Sequence, residues 1–243
     1  MKVFLAATKV LRNYQEEIEK SKYILESYYD IEKWQLPHVK KCSMFLLDSG
    51  AFTFMNSGKV LDFDAYTEKY IDFIRENDMK YFFEMDIDSV VGYEKVKVLR
   101  KKIERRTGKQ PIPVWHYSRG KDDYIGMCKD YPYVAFGGLM TDGVKREQLL
   151  KFMPWFIDKA HENNAMIHGL GFTQTRILDK YHFDTVDSSS WIGGQRYGLE
   201  YRFEDGIVKQ IKRQGKRLVN YQSLMVHNFN EWCKFQRYAE NHL

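Results

Sequence analysis

Short apolar runs alternate along this chain with longer stretches of helical period. "KVFLAA" near the start reads as a strand, and the polar segment from 12 to 29 reads as helical. "SMFLLDSG" is the next strand. "DFDAYTEKYIDFIREN" then sets Phe63, Tyr66, Tyr70 and Ile74 on one helical face. "KYFFEMDID", "PIPVWHY", "YVAFGGL", "AMIHGLGF" and "FDTVDSS" continue the strands, with helical segments between them. "YGLEYRFEDGIVKQI" reads as a hairpin turning at Asp205-Gly206, and residues 226 to 241 as a terminal helix. Strands alternating with helices predict βαβ units and a parallel sheet. Seven or eight strands in 243 residues favour a closed (β/α)8 TIM-type barrel over an open sheet. The expected fold is therefore α/β, one barrel domain over residues 1–243. It is irregular at the last strand, where the hairpin competes to close the ring, and it carries a C-terminal helix. No GxGxxG follows the first strand, so a dinucleotide fold is not supported.

Composition changes this picture little. Hydrophobic residues make up 44% and aromatics 16%, ample for a large core. No run approaches the apolar length of a membrane span, and the N-terminus reads as a strand rather than a signal peptide. Cys42, Cys128 and Cys233 are far apart and form no CxxC pair, which fits a reducing, cytoplasmic setting. Charge adds more. The net charge is +5, and the basic residues cluster in "YEKVKVLRKKIERRTGK", which includes Lys101 and Arg105, and in "VKQIKRQGKR" at 208 to 217. Either run alone reads as a solvated face; together they raise a nucleic-acid partner.

A barrel of this kind works at the C-terminal ends of its strands. Those ends read Asp48-Ser49-Gly50, Asp86 and Asp88, His116-Tyr117, Gly137-Gly138, His168-Gly169-Leu170-Gly171 and Asp187-Ser188. Carboxylates converging on one mouth suit glycosidic chemistry, in which one attacks the sugar carbon and the other moves the proton. Glycines at strand ends let a flat heterocycle approach backbone N–H and C=O groups. The competing reading of each aspartate is a helix cap or loop hydrogen bond. His168 is read as a structural histidine. The histidines are scattered, with no HxH or HExxH, and three cysteines cannot make a four-cysteine zinc site, so no metal and no cofactor are expected.

The ordered set "LLDSGAF", "FEMDIDSVVG", "PVWHY", "FGGL", "HGLGF" and "VDSSSW…RYG", from about residue 45 to 198, resembles the tRNA-guanine transglycosylase superfamily. It is most similar to short, phage-type members, which include enzymes that place 7-deazaguanines in DNA. The resemblance implies the same (β/α)8 barrel and base exchange through a covalent sugar–aspartate intermediate. Asp187 resembles the nucleophile, and Asp48 the general acid/base. Asp86 resembles the carboxylate that reads the guanine-like edge, with Ser49 and His116 beside the base. Gly137, Gly138 and Leu139 resemble the backbone contacting the base, and Gly169 the segment packed on it. Trp191 is a candidate to stack on the target base.

Departures set the limits of the resemblance. Ala51 replaces the second glycine of "DSGGF". Ser188 to Trp191 replace the Cys-led segment that follows the nucleophile in the tRNA enzymes, and their Cys-rich zinc subdomain is missing. Base handling thus carries over better than tRNA recognition. The expected partners are a 7-deazaguanine base and a nucleic acid, DNA ahead of tRNA. Phosphate anchors would come from Arg196, Arg202, Lys101 and Arg105, and a second copy could form a homodimer. A phage-encoded chain would act in the host cytoplasm. Three alternatives stay open: the same exchange on RNA, a hydrolytic DNA glycosylase or nucleosidase, and a non-catalytic nucleic-acid-binding partner subunit.

Overall fold

The computed structural model describes residues 1–55, 62–137, 146–172, 174–211 and 221–243. Eight parallel strands form one sheet: β1 (Lys2–Ala6), β2 (Tyr23–Ser27), β3 (Met44–Asp48), β4 (Tyr81–Phe82), β5 (Val114–Trp115), β6 (Tyr133–Phe136), β7 (Met166–Gly169) and β8 (Thr185–Ser188). The order across the sheet is β4-β3-β2-β1-β8-β7-β6-β5. Its two edges meet just beyond β4 and before β5. Phe83 bridges Ile112; the Glu84 N–H donates to the Ile112 carbonyl at 3.0 Å, and the Ile112 N–H to the Phe82 carbonyl at 2.8 Å. The ring thus closes as a TIM-type barrel.

Two details differ from the sequence reading. The segment 12 to 29 is not a helix: a kinked 3-10 stretch (Thr8–Lys20) is followed by strand β2. Tyr23 and Leu25 of β2 join the barrel interior, while Ile24 faces the outer layer, so the run is buried on both sides and shows no clean period. With that strand counted, the hairpin has no place in the ring. β9 (Glu200–Glu204) and β10 (Ile207–Ile211) form a separate antiparallel pair. The irregular join is therefore β4–β5, not the last strand, since β8 pairs with β1 from Lys2–Thr185 to Leu5–Ser188.

The hairpin turn does fall at Asp205-Gly206, with φ of 54° and 78°, the left-handed pair that a two-residue turn requires. Helices Phe63–Glu76, Tyr93–Thr107, Gly120–Asp130 and Arg146–Glu162 cover the outside of the barrel. Asp62 caps the first, accepting the Ala65 N–H at 2.9 Å, and Phe63, Tyr70, Ile71 and Ile74 form its buried stripe. The terminal helix Tyr221–His242 lies over β1, where buried Gln236 donates to the carbonyls of Val3 at 2.7 Å and Tyr23 at 2.9 Å.

Glu26 occupies an outward position on β2. It is 2% exposed and accepts the N–H of Thr8 at 2.7 Å and its hydroxyl at 2.5 Å. Burial pushes its carboxyl up to about 7, against the lowering effect of the Thr8 donors. The folded chain thus binds this proton more tightly than the unfolded chain. The resulting stability is complete below about pH 4.5 and is lost as pH climbs through about 7. Glu26→Gln is expected to flatten that slope and to stabilise the protein at neutral pH by up to about 3 kcal/mol. Urea titrations at several pH values measure it; an unchanged slope would count against a protonated Glu26.

Candidate active site

Side chains alternate along each strand, so one parity of every strand points into the barrel. Phe4, Leu46, Val114, Tyr133 and Ala135 share the interior cluster. Two residues further along their strands come Asp48, His116 and Gly137, and the same face carries His168, Thr185 and Asp187. The sequence-predicted Asp48, Asp86, His116, Gly137 and Asp187 therefore collect at one mouth.

Asp48 ends β3. Its Oδ2 accepts the Gly50 N–H at 2.9 Å. Gly50 has φ +69°, and a Cβ there would lie 2.5 Å from the Ser27 hydroxyl, so the tight turn after Asp48 requires glycine. Burial pushes the Asp48 carboxyl up to about 6; the charges of Asp86 and Asp187 act in the same direction, while the Gly50 and Ser49 N–H groups oppose them. Ser49 is 1% exposed, and its hydroxyl accepts the Ala51 N–H at 3.4 Å. It braces the turn rather than facing the mouth.

Asp187, inward on β8, has its Oδ1 held twice. The Gly171 N–H donates at 2.7 Å and His168 Nε2 lies at 3.1 Å. Its Oδ2 has no hydrogen-bond partner among the described residues. Gly171 has φ +64°, the left-handed conformation that turns its N–H onto the carboxylate. Gly169 meets a different need: a Cβ there would sit 3.1 Å from the Phe183 ring, so this glycine allows close packing. His168 is fully buried, as expected of a structural histidine, yet one ring nitrogen touches the candidate nucleophile.

Asp86 lies on the segment after β4 and accepts from His116 Nε2 at 2.7 Å. Burial works to lower the His116 value, but the bonded Asp86 carboxylate outweighs it and holds it above the usual histidine range. Gly137 clears space for that ring, since a Cβ there would be 2.7 Å from His116 Cε1. Gly138 and Leu139 lie outside the described residues.

Beneath this pair is a network that sequence reasoning did not find. The Arg119 side chain is 1% exposed. It donates from Nε to Asp88 at 2.9 Å, from Nη1 to Glu84 at 3.0 Å and to the Val114 carbonyl, and stacks 4.3 Å above the Tyr93 ring. Its Nη2 is 3.6 Å from Asp86. Asp86, Asp88 and His116 could bring ligand atoms within 4.8 Å of one another around a metal ion. The positive charge facing these carboxylates, however, is the guanidinium of Arg119. No sequence signal marks Arg119, because it arrives from the turn after β5.

The other candidates do not join this cluster among the described residues. Trp191 is fully buried, its Nε1–H donates to the Ala6 carbonyl at 2.7 Å, and its ring packs edge-on against Phe229. It ties the loop after β8 to β1 and the terminal helix, so it is not available to stack on a base. Trp191→Phe is expected to cost about 1–2 kcal/mol of stability through the lost buried hydrogen bond. Thermal unfolding and ligand titration together check this; a change confined to ligand affinity would restore the stacking role.

Lys101 and Arg105 are exposed on the outer wall, on helix Tyr93–Thr107, which runs back from the mouth towards the opposite end. Lys101 pairs with Glu104 at 2.8 Å and reaches Tyr131, just before β6. Its helix is tied to acidic neighbours: Lys95 to Asp64 at 2.8 Å, Lys102 and Arg106 to Glu68 at 2.8 and 3.0 Å. Much of the run is thus matched by acidic side chains. Arg202 is exposed on the hairpin, 3.6 Å from Glu204. The side chain of Arg196 and residues 212 to 217 of the second basic run lie outside the described residues. No described helix is long and apolar enough to cross a membrane.

No protein-family model matches the chain, and no curated protein matches it. Among solved structures, macrophomate synthase aligns with a TM-score of 0.42 at 11% identity, over 81% of this chain and 82% of that one. The 3-hexulose-6-phosphate synthase of Salmonella typhimurium aligns with a TM-score of 0.42 at 13% identity, over 97% of this chain and all of that one.

Proposed function

We propose that this barrel is a pentosyltransferase that exchanges guanine for a 7-deazaguanine in nucleic acid, DNA in the first instance. The observation that carries this reading is the division of labour between two carboxylates at one mouth. Burial raises the Asp48 carboxyl to about 6, whereas Asp187 is fixed by one oxygen, with the other unbonded among the described residues. The first is suited to an acid, the second to a nucleophile.

Oδ2 of Asp187 attacks the anomeric carbon of the sugar as the carbon–nitrogen bond to guanine breaks. The bonding pair leaves with guanine, which takes the proton of Asp48. The Asp48 carboxylate then accepts the N–H proton of the incoming base, whose nitrogen displaces Asp187 from the sugar. Atoms and charge balance, and both carboxyls return to their starting states. Asp86, bonded to His116, offers an acceptor to the N–H donors of the heterocycle. A base in a duplex has to be flipped out, or presented single-stranded, before its sugar can be attacked.

The test uses DNA and tRNA carrying radiolabelled guanine, each with excess cyano-deazaguanine base. Label release that depends on the added base and disappears in Asp187→Ala is expected, and the responsive polymer identifies the substrate. Release without added base makes the protein a glycosylase. No release from either polymer sinks the proposed exchange.

A further inference from the structure

The inside of the barrel holds a chain of polar groups beneath Asp187. Tyr133 on β6, His168 on β7 and Thr185 on β8 are 5%, 0% and 1% exposed. The phenol oxygen of Tyr133 lies 2.6 Å from Thr185 Oγ1, and that oxygen lies 2.7 Å from His168 Nδ1. On the far side of the ring, Nε2 meets Asp187 Oδ1 at 3.1 Å. Phe4, Phe83 and Tyr133 flank the imidazole at ring-centroid distances of 6.1, 5.4 and 6.4 Å.

Donor and acceptor capacities fix the direction of this chain. A carboxylate oxygen only accepts, so the contact with Asp187 is a hydrogen bond only in the tautomer that carries its proton on Nε2. A neutral ring then has a lone pair on Nδ1, which must accept the Thr185 hydroxyl proton. The Thr185 oxygen in turn accepts from Tyr133, whose hydroxyl keeps its proton because burial pushes its pKa up.

We propose that Tyr133 and Thr185 act as positioning residues that hold the proton of His168 on Nε2, so that His168 clamps Oδ1 of Asp187 and presents Oδ2 to the sugar. This rests on the reading of Asp187 as the nucleophile. The opposite tautomer would turn a lone pair towards a carboxylate, releasing Oδ1 and letting the side chain rotate. Among the described residues, Gly171 alone would then hold Asp187. A wrong histidine tautomer beside an intact site lowers turnover far more than it lowers binding.

The experiment compares the full chain with Thr185→Val, which keeps the shape and removes the hydroxyl, and with Thr185→Ser, which restores it. Nitrogen-15 NMR of labelled histidines reads the tautomer directly. Single-turnover base release from guanine DNA reads the chemistry. The expected spectrum has a protonated Nε2 and a bare Nδ1 in the wild type and in Thr185→Ser. Thr185→Val shifts towards the other tautomer and lowers kcat by about tenfold or more with little change in KM. A wild-type ring protonated on Nδ1, or a Thr185→Val spectrum identical to wild type, overturns the proposal. If the tautomers behave as expected but no variant, wild type included, releases guanine, the hydrogen-bond chain stands and the transglycosylase reading fails.

Discussion

Asp48→Asn is expected to slow guanine release by about 10²–10⁴-fold and to erase the alkaline limb of its pH profile. In the proposed exchange the departing guanine needs a proton, and the affinity of the Asp48 carboxyl for one is raised, to about 6. Three causes combine there: the carboxyl is ringed by protein, and the charges of Asp86 and Asp187 both disfavour a further negative charge. The sign follows. An acid works only while protonated, so release by the wild type should be level below about pH 6 and fall by about tenfold per unit above it. An asparagine keeps the acceptor for the Gly50 N–H but carries no proton to give. Single-turnover release measured from pH 5 to 8 decides it. A rate that rises through pH 6 would make Asp48 a base in the first step and reverse its proposed role.

The residues of this mouth were legible in the sequence because a strand has a period of two. Once "SMFLLDSG" and "FDTVDSS" are read as strands, Asp48 and Asp187 fall on the same parity as the interior residues behind them. The same rule separates the two aspartates of "FDTVDSSSW". Asp184 lies just before β8, where it accepts the Ile167 N–H at 2.7 Å and meets exposed His161 at 3.1 Å. Asp187 lies at the mouth.

What was not legible depends on neighbours brought together only by closure of the ring. The pairing of Thr185 with His168 and Tyr133 joins three strands. Strand β2 is hard to read because its apolar run is only Tyr23 to Leu25, set between Lys22 and Glu26 and too short to show a period. Trp191 was misread for a related reason. Adjacency to Asp187 in sequence placed it near the mouth, but a step into the turn after β8 points its ring back towards Ala6 and Phe229. The roles of the glycines also changed. Gly50 and Gly171 serve turns that orient aspartates, and Gly137 and Gly169 serve close packing, so a glycine-rich rim is not by itself evidence for a flat ligand.

Glu84→Ala is expected to cost about 3–5 kcal/mol of stability. Glu84 is fully buried at the one join of the barrel made by a bridge instead of a ladder. From the β4 side of the seam, its backbone N–H donates across to the Ile112 carbonyl. Its carboxylate crosses as well, accepting the Val114 N–H at 2.8 Å, and gathers Arg100 Nε at 2.5 Å and Arg119 Nη1 at 3.0 Å. Burial works to lower the values of both guanidiniums, and the Glu84 carboxylate outweighs it and keeps them raised. Alanine would leave two buried like charges facing each other and a seam without its peg. Asp88 would still engage Arg119, so the loss should fall chiefly on Arg100 and the β4–β5 join. Glu84→Gln keeps an acceptor for Val114 and should recover part of the loss. Urea unfolding of the three proteins measures it; a cost below about 1 kcal/mol for alanine would mean the seam is held by its backbone bonds alone. Because Asp86 and His116 are mounted on the two sides of that seam, weaker binding of the base in Glu84→Gln, with the fold intact, would show that closing the barrel also sets the geometry of its mouth.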